Sequence, residues 1–479
     1  MKGFNSIESP MQFGVPARLE ESNLSAGEPS PSQLPVLREE RGLHAPHVLL
    51  IAYHFPPCGL SSGLQRTLCF SRDLSYHNWA PIVLTAHPRA YAITKTDQLS
   101  QIPPDVPVRA AFALDTPRHL GFRGRYAGWM ALPDNWVSWL PGAVAAGILM
   151  VRKYRPRVLW STYPIATAHL VGLCLHRITG IPWIADFRDP MTEEDPLTGK
   201  RFPEDARLWK VRRWIEKRAI QHCTRAVFVT PGSLEIHSNR YPHFASRMAV
   251  IGNGYDEENF AAAERVAKTR QTRAGQLLLV HSGVLYPGPD RDPTAFLKAL
   301  ASLRKQGKVS SELLQVRLRA TGYDDYYRQQ IREHGVEDIV SLDPPVPYQE
   351  ALAEMLAADG LLVFQGRTSN PAVPAKLYEY LRSRRPIFAL VDSEGDTAGV
   401  LRRAGIETQV PLDQPEIIES GIVRFLAEIR RGTSFLPAQE AIEEHSRKSK
   451  AKQLAGLLDE IVREQGAIGF AATAHRQEP

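Results

Sequence analysis

"HVLLIAYHFPPCGLSSGLQRTLCFSRDLSYHNWAPIVLTA", residues 47–86, holds the unit that decides the fold. Its opening apolar run, 47–55, has the composition of a strand buried on both faces. A loop with Gly59 and Gly63 follows, then an amphipathic helical stretch, then the apolar strand 80–86. Strand, helix and strand in succession form a crossover unit, which builds parallel sheets covered by helices.

Working outward, the alternation continues. Strands are predicted over 157–163, 181–187, 225–230 and 248–255, with a helix over 164–180 ended by Gly180 and another over 205–222. "AAAERVAKTRQTRAGQ" is polar and poorly patterned, and it is assigned as a linker at 263–275. A second alternating set begins at "LLLVHSG" (277–283). Its further strands fall at 314–322, 339–346, 360–366 and 386–391, with helices at 293–306, 324–335, 348–358, from 374, and 396–404. A long terminal helix is predicted over 437–464. The expected class is α/β, with two doubly wound Rossmann-like domains facing each other across a cleft. The expected division is a disordered, Pro/Ser/Glu-rich extension at 1–45, a first domain at 46–262, the linker at 263–275 and a second domain at 276–430. A helix at 431–466 and a flexible tail at 467–479 complete it.

The chain has 479 residues, 43% hydrophobic and 23% charged, as ordinary globular proteins do. A net charge of +6 with short, interrupted basic clusters suits an anionic small ligand or a membrane surface, and lacks the footprint of a nucleic-acid binder. Four cysteines, at 58, 69, 174 and 223, show no CxxC and are assigned as reduced thiols of a cytoplasmic protein. No apolar leader core is visible near the start. The uncharged stretch 135–151 contains Pro141 and Gly142 and is short of a spanning helix, so a buried helix starting near Pro141 is expected. Peripheral membrane attachment through Trp129, Trp136 and Trp139, with the Arg and Lys residues that follow, stays open.

Several residues stand where ligands bind in doubly wound sheets, beyond the carboxyl ends of strands. Gly59 lies in the first strand–helix loop, where a phosphate site competes with an ordinary turn. Asp186, Arg188 and Asp189 in "IADFRDP" are candidate contacts to a hydroxylated acceptor, or a structural set with Arg188 held between two carboxylates. "HSGVLYPGPDRDP" (281–293) brings Gly283 and Arg291 to the end of a second-domain strand. In "NPAVPAKLYEYL" (370–381) a helix is predicted to begin at Pro374, with Leu377, Tyr380 and Leu381 buried. Glu379 admits two roles there. It can pair with Lys376 or Arg382 as a solvated helix-surface charge, or it can accept hydrogen bonds from both hydroxyls of a ribose, with Lys376 and Arg291 on phosphate. His54, His169 and His281 are isolated, and neither HExxH nor GxSxG occurs. The expectation is therefore metal-free chemistry. Paired carboxylates of a glycoside hydrolase match this architecture poorly.

Taken together, "YHFPP…G…QR", "STYPIATAHLVGL", "PWIADFRDP", "VIGNGYDEENF", "HSGVLY" and "VPAKLYEYL" resemble bacterial glycosyltransferase family 4, in order, over roughly 46–410. That resemblance implies a GT-B fold and transfer of a sugar from a nucleotide-sugar donor, with retained configuration and no required metal. The acceptor would be a glycan or lipid-linked molecule, in polysaccharide or glycoconjugate biosynthesis. It further implies Glu379 as the ribose ligand, Lys376 and Arg291 as diphosphate contacts, and Gly59 as the loop glycine that approaches the diphosphate. Pro371 stands where the family carries the first of two paired glutamates. A non-catalytic nucleotide-binding scaffold and an isomerase like the nucleotide-sugar 2-epimerases are the alternatives of the same architecture.

Overall fold

Apolar runs become parallel strands in the computed structural model, which describes residues 45–474 apart from 60–62, 124, 195–198 and 268–274. The first lobe contains β1 (His47–Ile51), β2 (Ala80–Ala86), β3 (Val108–Ala111), β4 (Val158–Thr162) and β5 (Trp183–Phe187). A small antiparallel hairpin, β6 (Glu193–Glu194) with β7 (Arg201–Phe202), stands apart, and β8 (Arg225–Phe228) and β9 (Met248–Val250) complete the sheet. Its order is β3-β2-β1-β4-β5-β8-β9, so the winding reverses between β1 and β4. Helices α1 (Leu64–Asp73), α2 (Trp139–Tyr154), α3 (Ala166–Thr179), α4 (Ala206–His222) and α5 (Pro231–Arg240) make the connections.

After α6 (Glu257–Val266) the second lobe repeats the plan. Its strands are β10 (Leu277–Ser282), β11 (Leu314–Arg319), β12 (Val340–Asp343), β13 (Gly360–Gln365), β14 (Ile387–Val391) and β15 (Gln409–Val410). They lie in the order β12-β11-β10-β13-β14-β15, reversing between β10 and β13. The intervening helices are α7 (Thr294–Lys305), α8 (Asp324–His334), α9 (Tyr348–Ala357), α10 (Ala375–Ser383), α11 (Asp396–Arg403) and α12 (Pro415–Arg431), followed by α13 (Gln439–Glu444) and α14 (Arg447–Ala474). Strand pairs are parallel throughout both main sheets, for instance β1 with β4 and β10 with β13. Helices on both faces explain why these strands read as near-continuous apolar runs. Sheets of this winding bind ligands beside the reversal point.

Several expectations need correction. The assigned linker begins inside a helix: α6 sends Phe260 and Ala263 into the second lobe's core beside Leu278 and Val280. A side-chain cap explains its start, because Asp256 accepts from Glu258 N at 3.0 Å. The terminal helix is two helices, broken at His445 and Ser446, where Ser446 makes a β-bridge to Tyr255. α14 continues to Ala474, through the first part of the expected tail. Residues 1–44 of the expected extension and 475–479 lie outside the described residues. α5, β3 and α12 were not expected. Of the three tryptophans considered for membrane contact, Trp139 is fully buried, while Trp136 packs beside Tyr53 and donates to Asp115 at 3.0 Å. Only Trp129 is exposed. Among the described residues no helix is long and apolar enough to cross a membrane.

α14 returns to the first lobe. Ala451, Leu454, Ala455, Leu458 and Ile461 join the core of that lobe, and Trp79 Nε1 donates to Asp459 at 2.9 Å. The chain thus crosses between lobes twice, and the crossings run side by side: Tyr255 N donates to His445 O and Arg447 N to Tyr255 O. At Gly254 an added Cβ would meet His445 O at 2.3 Å, so only glycine lets the two crossings approach. Arg66 on α1 braces the first crossing, donating to Ile251 O at 2.9 Å and Gly252 O at 2.8 Å.

Candidate functional site

β13 ends at Gln365, and a loop through Pro371 leads to α10, whose N-cap is Pro374 with φ −58° and ψ 131°. The helix therefore starts one residue later than Pro374, and no side chain caps its first turn. Leu377, Tyr380 and Leu381 are buried as the spacing predicts. The Tyr380 hydroxyl accepts from Ser282 N at 2.8 Å, which ties α10 to the end of β10 across the reversal point. Gly283 follows with φ +136°, a conformation that favours glycine, and an added Cβ there would lie 3.9 Å from Lys376 Cγ.

Glu379 is only 7% exposed, so it is no solvated surface charge. The Tyr348 hydroxyl donates to its Oε1 at 2.7 Å. Lys376 Nζ pairs with the buried Oε2 at 3.0 Å, and no other partner of that oxygen is found among the described residues. Arg382, the other partner considered, turns away to Glu257 at 2.7 Å and to Glu264 at 3.0 Å. Burial, and then the Glu379 charge, push the Tyr348 phenol far above its ordinary range, so it remains a donor.

Beside this pair, burial lowers His281 to about 4, and the Arg291 and Lys376 charges add to that, against the opposing Leu362 carbonyl. The imidazole is thus neutral. Its Nδ1, 2.9 Å from Leu362 O, carries the proton, which leaves Nε2 as a buried acceptor with no hydrogen-bond donor among the described residues. The Arg291 guanidinium lies 5.5 Å from the centre of the Tyr286 ring. Its Nε is 3.5 Å from Asp290 Oδ2, too poorly placed to hydrogen-bond. His281, Gly283, Arg291, Lys376 and Glu379 are thereby gathered where β10 and β13 end.

The first-lobe candidates separate. Asp186 is fully buried, bound by Arg66 through Nη2–Oδ1 at 2.8 Å and Nε–Oδ2 at 3.0 Å, and by Thr162 at 2.8 Å. It is structural and out of reach of an acceptor. The expected set of Arg188 between two carboxylates does not form, because Arg66 takes that role for Asp186. Arg188 donates instead to Gly63 O at 2.8 Å, and among the described residues its buried Nε has no hydrogen-bond partner. Asp189 and, on β6, Glu193 are exposed, so solvent tempers the upward push of desolvation on their carboxyls, which Arg188 opposes at Asp189 and Arg240 at Glu193. Gly59 has a packing reason of its own: its N–H donates to Ile93 O at 2.9 Å, and an added Cβ would meet Lys95 Cγ at 2.8 Å.

Pro371 lies against the first lobe. Thr230 Oγ1 donates to its carbonyl at 2.6 Å, its Cα would meet a Cβ at Gly232 at 2.8 Å, and Gly232 N donates to Asp396 Oδ2 at 2.7 Å. Asp396 of the second lobe thus serves an orphan N–H in the first turn of α5. Sequence reasoning missed Tyr348, Thr230 and Asp396, whose partners are more than thirty residues away and leave no local pattern. His281 was read as isolated, and its place at a strand end beside Gly283 was the available signal. Among the described residues, no group of three or more His, Cys, Asp or Glu is arranged to hold a metal ion.

No protein-family model and no curated protein matches the sequence. Solved structures share its architecture. A glycosyltransferase from Rickettsia africae matches with TM-score 0.58 at 9% identity, over 88% of this chain and 99% of its own. The catalytic domain of starch synthase IV from Arabidopsis thaliana, bound to ADP and acarbose, gives 0.53 at 13%, over 88% and 100%. Sucrose-phosphate synthase from Thermosynechococcus elongatus gives 0.53 at 13%, over 90% and 100%. The fold is GT-B, two Rossmann-like domains, as the resemblance in the motifs implied.

Proposed function

We propose that this chain is a retaining glycosyltransferase, moving a sugar from a nucleotide-sugar to a glycan or lipid-linked acceptor in glycoconjugate synthesis. The observation that carries the proposal is Glu379. A buried carboxylate with one oxygen held by Tyr348 and the other paired with Lys376, one turn into a helix at a reversal point, keeps lone pairs to receive hydroxyl donors. A ribose supplies two such hydroxyls side by side.

Lys376, Arg291 and the uncapped first turn of α10 would then face the diphosphate. When the glycosyl–phosphate bond breaks, negative charge grows on the leaving oxygens, and preorganised cations and N–H dipoles stabilise it. The neutral His281 offers Nε2 as an acceptor to a donor hydroxyl. Across the cleft, Arg188 and Asp189 remain the acceptor-side candidates, with Asp186 holding the scaffold. Solved structures of this fold support the reading: one is named a glycosyltransferase, and another is bound to ADP and acarbose.

Purified protein heated with a panel of nucleoside diphosphates and nucleotide-sugars tests this. Stabilisation by one nucleotide, and its release from the matching nucleotide-sugar only when acceptor is present, is the expected result. Nuclear magnetic resonance of the product anomer then reports retention. Stabilisation by none of the panel overturns the proposal; binding without release in the presence of acceptors replaces it with the scaffold, and epimerisation of the donor without acceptor replaces it with the isomerase.

A further inference from the structure

We propose that the β3 edge of the first lobe docks on an anionic lipid bilayer. Residues 106–157 contain eight basic residues and two acidic ones, which leaves fifty of each for the rest of the chain. The whole net charge of +6 is therefore carried by this one stretch. Both acids are buried and held by neutral donors. Asp115 accepts from Trp136 Nε1 at 3.0 Å and Arg118 N at 3.1 Å, and Asp134 accepts from Thr167 N at 2.8 Å. What remains at the surface is basic, including Arg109, Arg118, Arg125 and Arg152.

Large apolar side chains stand out among those cations. Phe122 is 77% exposed, Trp129 74%, Leu149 60% and Phe112 51%. Phe122 sits in a tight turn closed by two backbone bonds with Arg125, at 2.9 and 3.0 Å. Phe112 follows β3, which among the described residues has no strand on its outer side, and its backbone packs against Gly142 at the start of α2. The same helix exposes Pro141, Ala145 and Leu149, one turn apart, and ends in Arg152 and Lys153. A soluble domain seldom concentrates exposed aromatics. Aromatic side chains ringed by arginine fit the boundary of a bilayer, where rings enter the headgroup layer and guanidinium groups meet phosphate. The positive balance of the charge selects an anionic leaflet over a neutral one.

The proposal does not depend on nucleotide binding, so the two fail separately. The full chain is floated with phosphatidylglycerol-rich vesicles and with pure phosphatidylcholine vesicles, at low and high salt. Wild type is expected to float with the anionic vesicles, less so in high salt, and to stay behind with the neutral ones. Arg118→Gln with Arg125→Gln weakens partitioning by about fivefold per arginine. Phe122→Ser with Trp129→Ser weakens it without changing the salt dependence, and Ile417→Ser, an exposed apolar site on α12, leaves it unchanged. Equal flotation of both double variants and wild type overturns the proposal. So does failure of wild type to float, including the case in which this face instead binds nucleic acid or a second copy of the chain.

Discussion

Glu379→Gln keeps the shape of the side chain and the bond from Tyr348, while removing the charge and one acceptor oxygen. If that oxygen receives a ribose hydroxyl, the variant loses a hydrogen bond to a charged group, about 1.5–3 kcal/mol. Since each 1.4 kcal/mol is tenfold, the nucleotide's dissociation constant rises about 10- to 150-fold. At a ligand concentration 100 times the wild-type constant, binding stabilises wild type by about 2.7 kcal/mol. The same concentration stabilises the variant by only about 0.3–1.3 kcal/mol. Titration calorimetry gives the constants, and thermal unfolding with and without ligand gives the stabilisation, each protein referred to its own ligand-free state. A 2′,3′-dideoxy nucleoside diphosphate completes the cycle: it binds wild type at least as weakly as the normal nucleotide binds the variant, and the variant distinguishes the two less than wild type does. Equal affinity of wild type for both nucleotides refutes the ribose assignment, whatever the variant does.

Asp186→Ala leaves the Arg66 guanidinium buried without its carboxylate, and urea unfolding is expected to show a loss of about 3–5 kcal/mol; an unchanged midpoint refutes the structural role given to that pair. Asp396→Ala removes the acceptor for Gly232 N across the lobes, a cap worth about 0.5–2 kcal/mol, and the radius of gyration from small-angle scattering is expected to grow as the lobes separate. Burial lowers His169 to about 3 and His281 to about 4, so the unfolded chain binds more protons than the folded one between those values and the ordinary 6.5. Stability is therefore complete above pH 6.5 and falls below it, with a slope approaching about 1.4 kcal/mol per pH unit for each histidine. Unfolding followed from pH 7 to 4.5, wild type beside His169→Gln, reads the slope; identical slopes refute the assignment.

The sheets were legible wherever strands are buried on both faces, because "HVLLI", "LLLVHS" and "GLLVFQ" leave no choice of side. β3 escaped notice for the opposite reason: "VRAA" is an edge strand with three exposed residues, and little in it is apolar. α6 was taken for linker because only Asn259, Phe260 and Ala263 are buried in a polar setting, and its partners lie beyond the lobe boundary. Glu379 and Lys376 could be singled out since a proline, a buried stripe and the preceding strand all lie within twenty residues of them. Asp186 illustrates the limit. A carboxylate at a strand end looks the same in sequence whether it faces a substrate or an arginine 120 positions earlier.

The second crossing of the chain has a consequence for synthesis. About 200 residues separate Ile251, near the end of the first sheet, from Ala451, the first α14 residue in that lobe's core. At about 5–20 residues per second, a ribosome takes roughly 10–40 s to cover that distance. Throughout that interval the emerging first lobe exposes the groove that Leu454, Leu458 and Ile461 will fill, while the second lobe, whose core needs nothing from α14, is free to fold ahead of it. The lobe made first is thus completed last, and its unfilled groove is what a nascent-chain chaperone would meet.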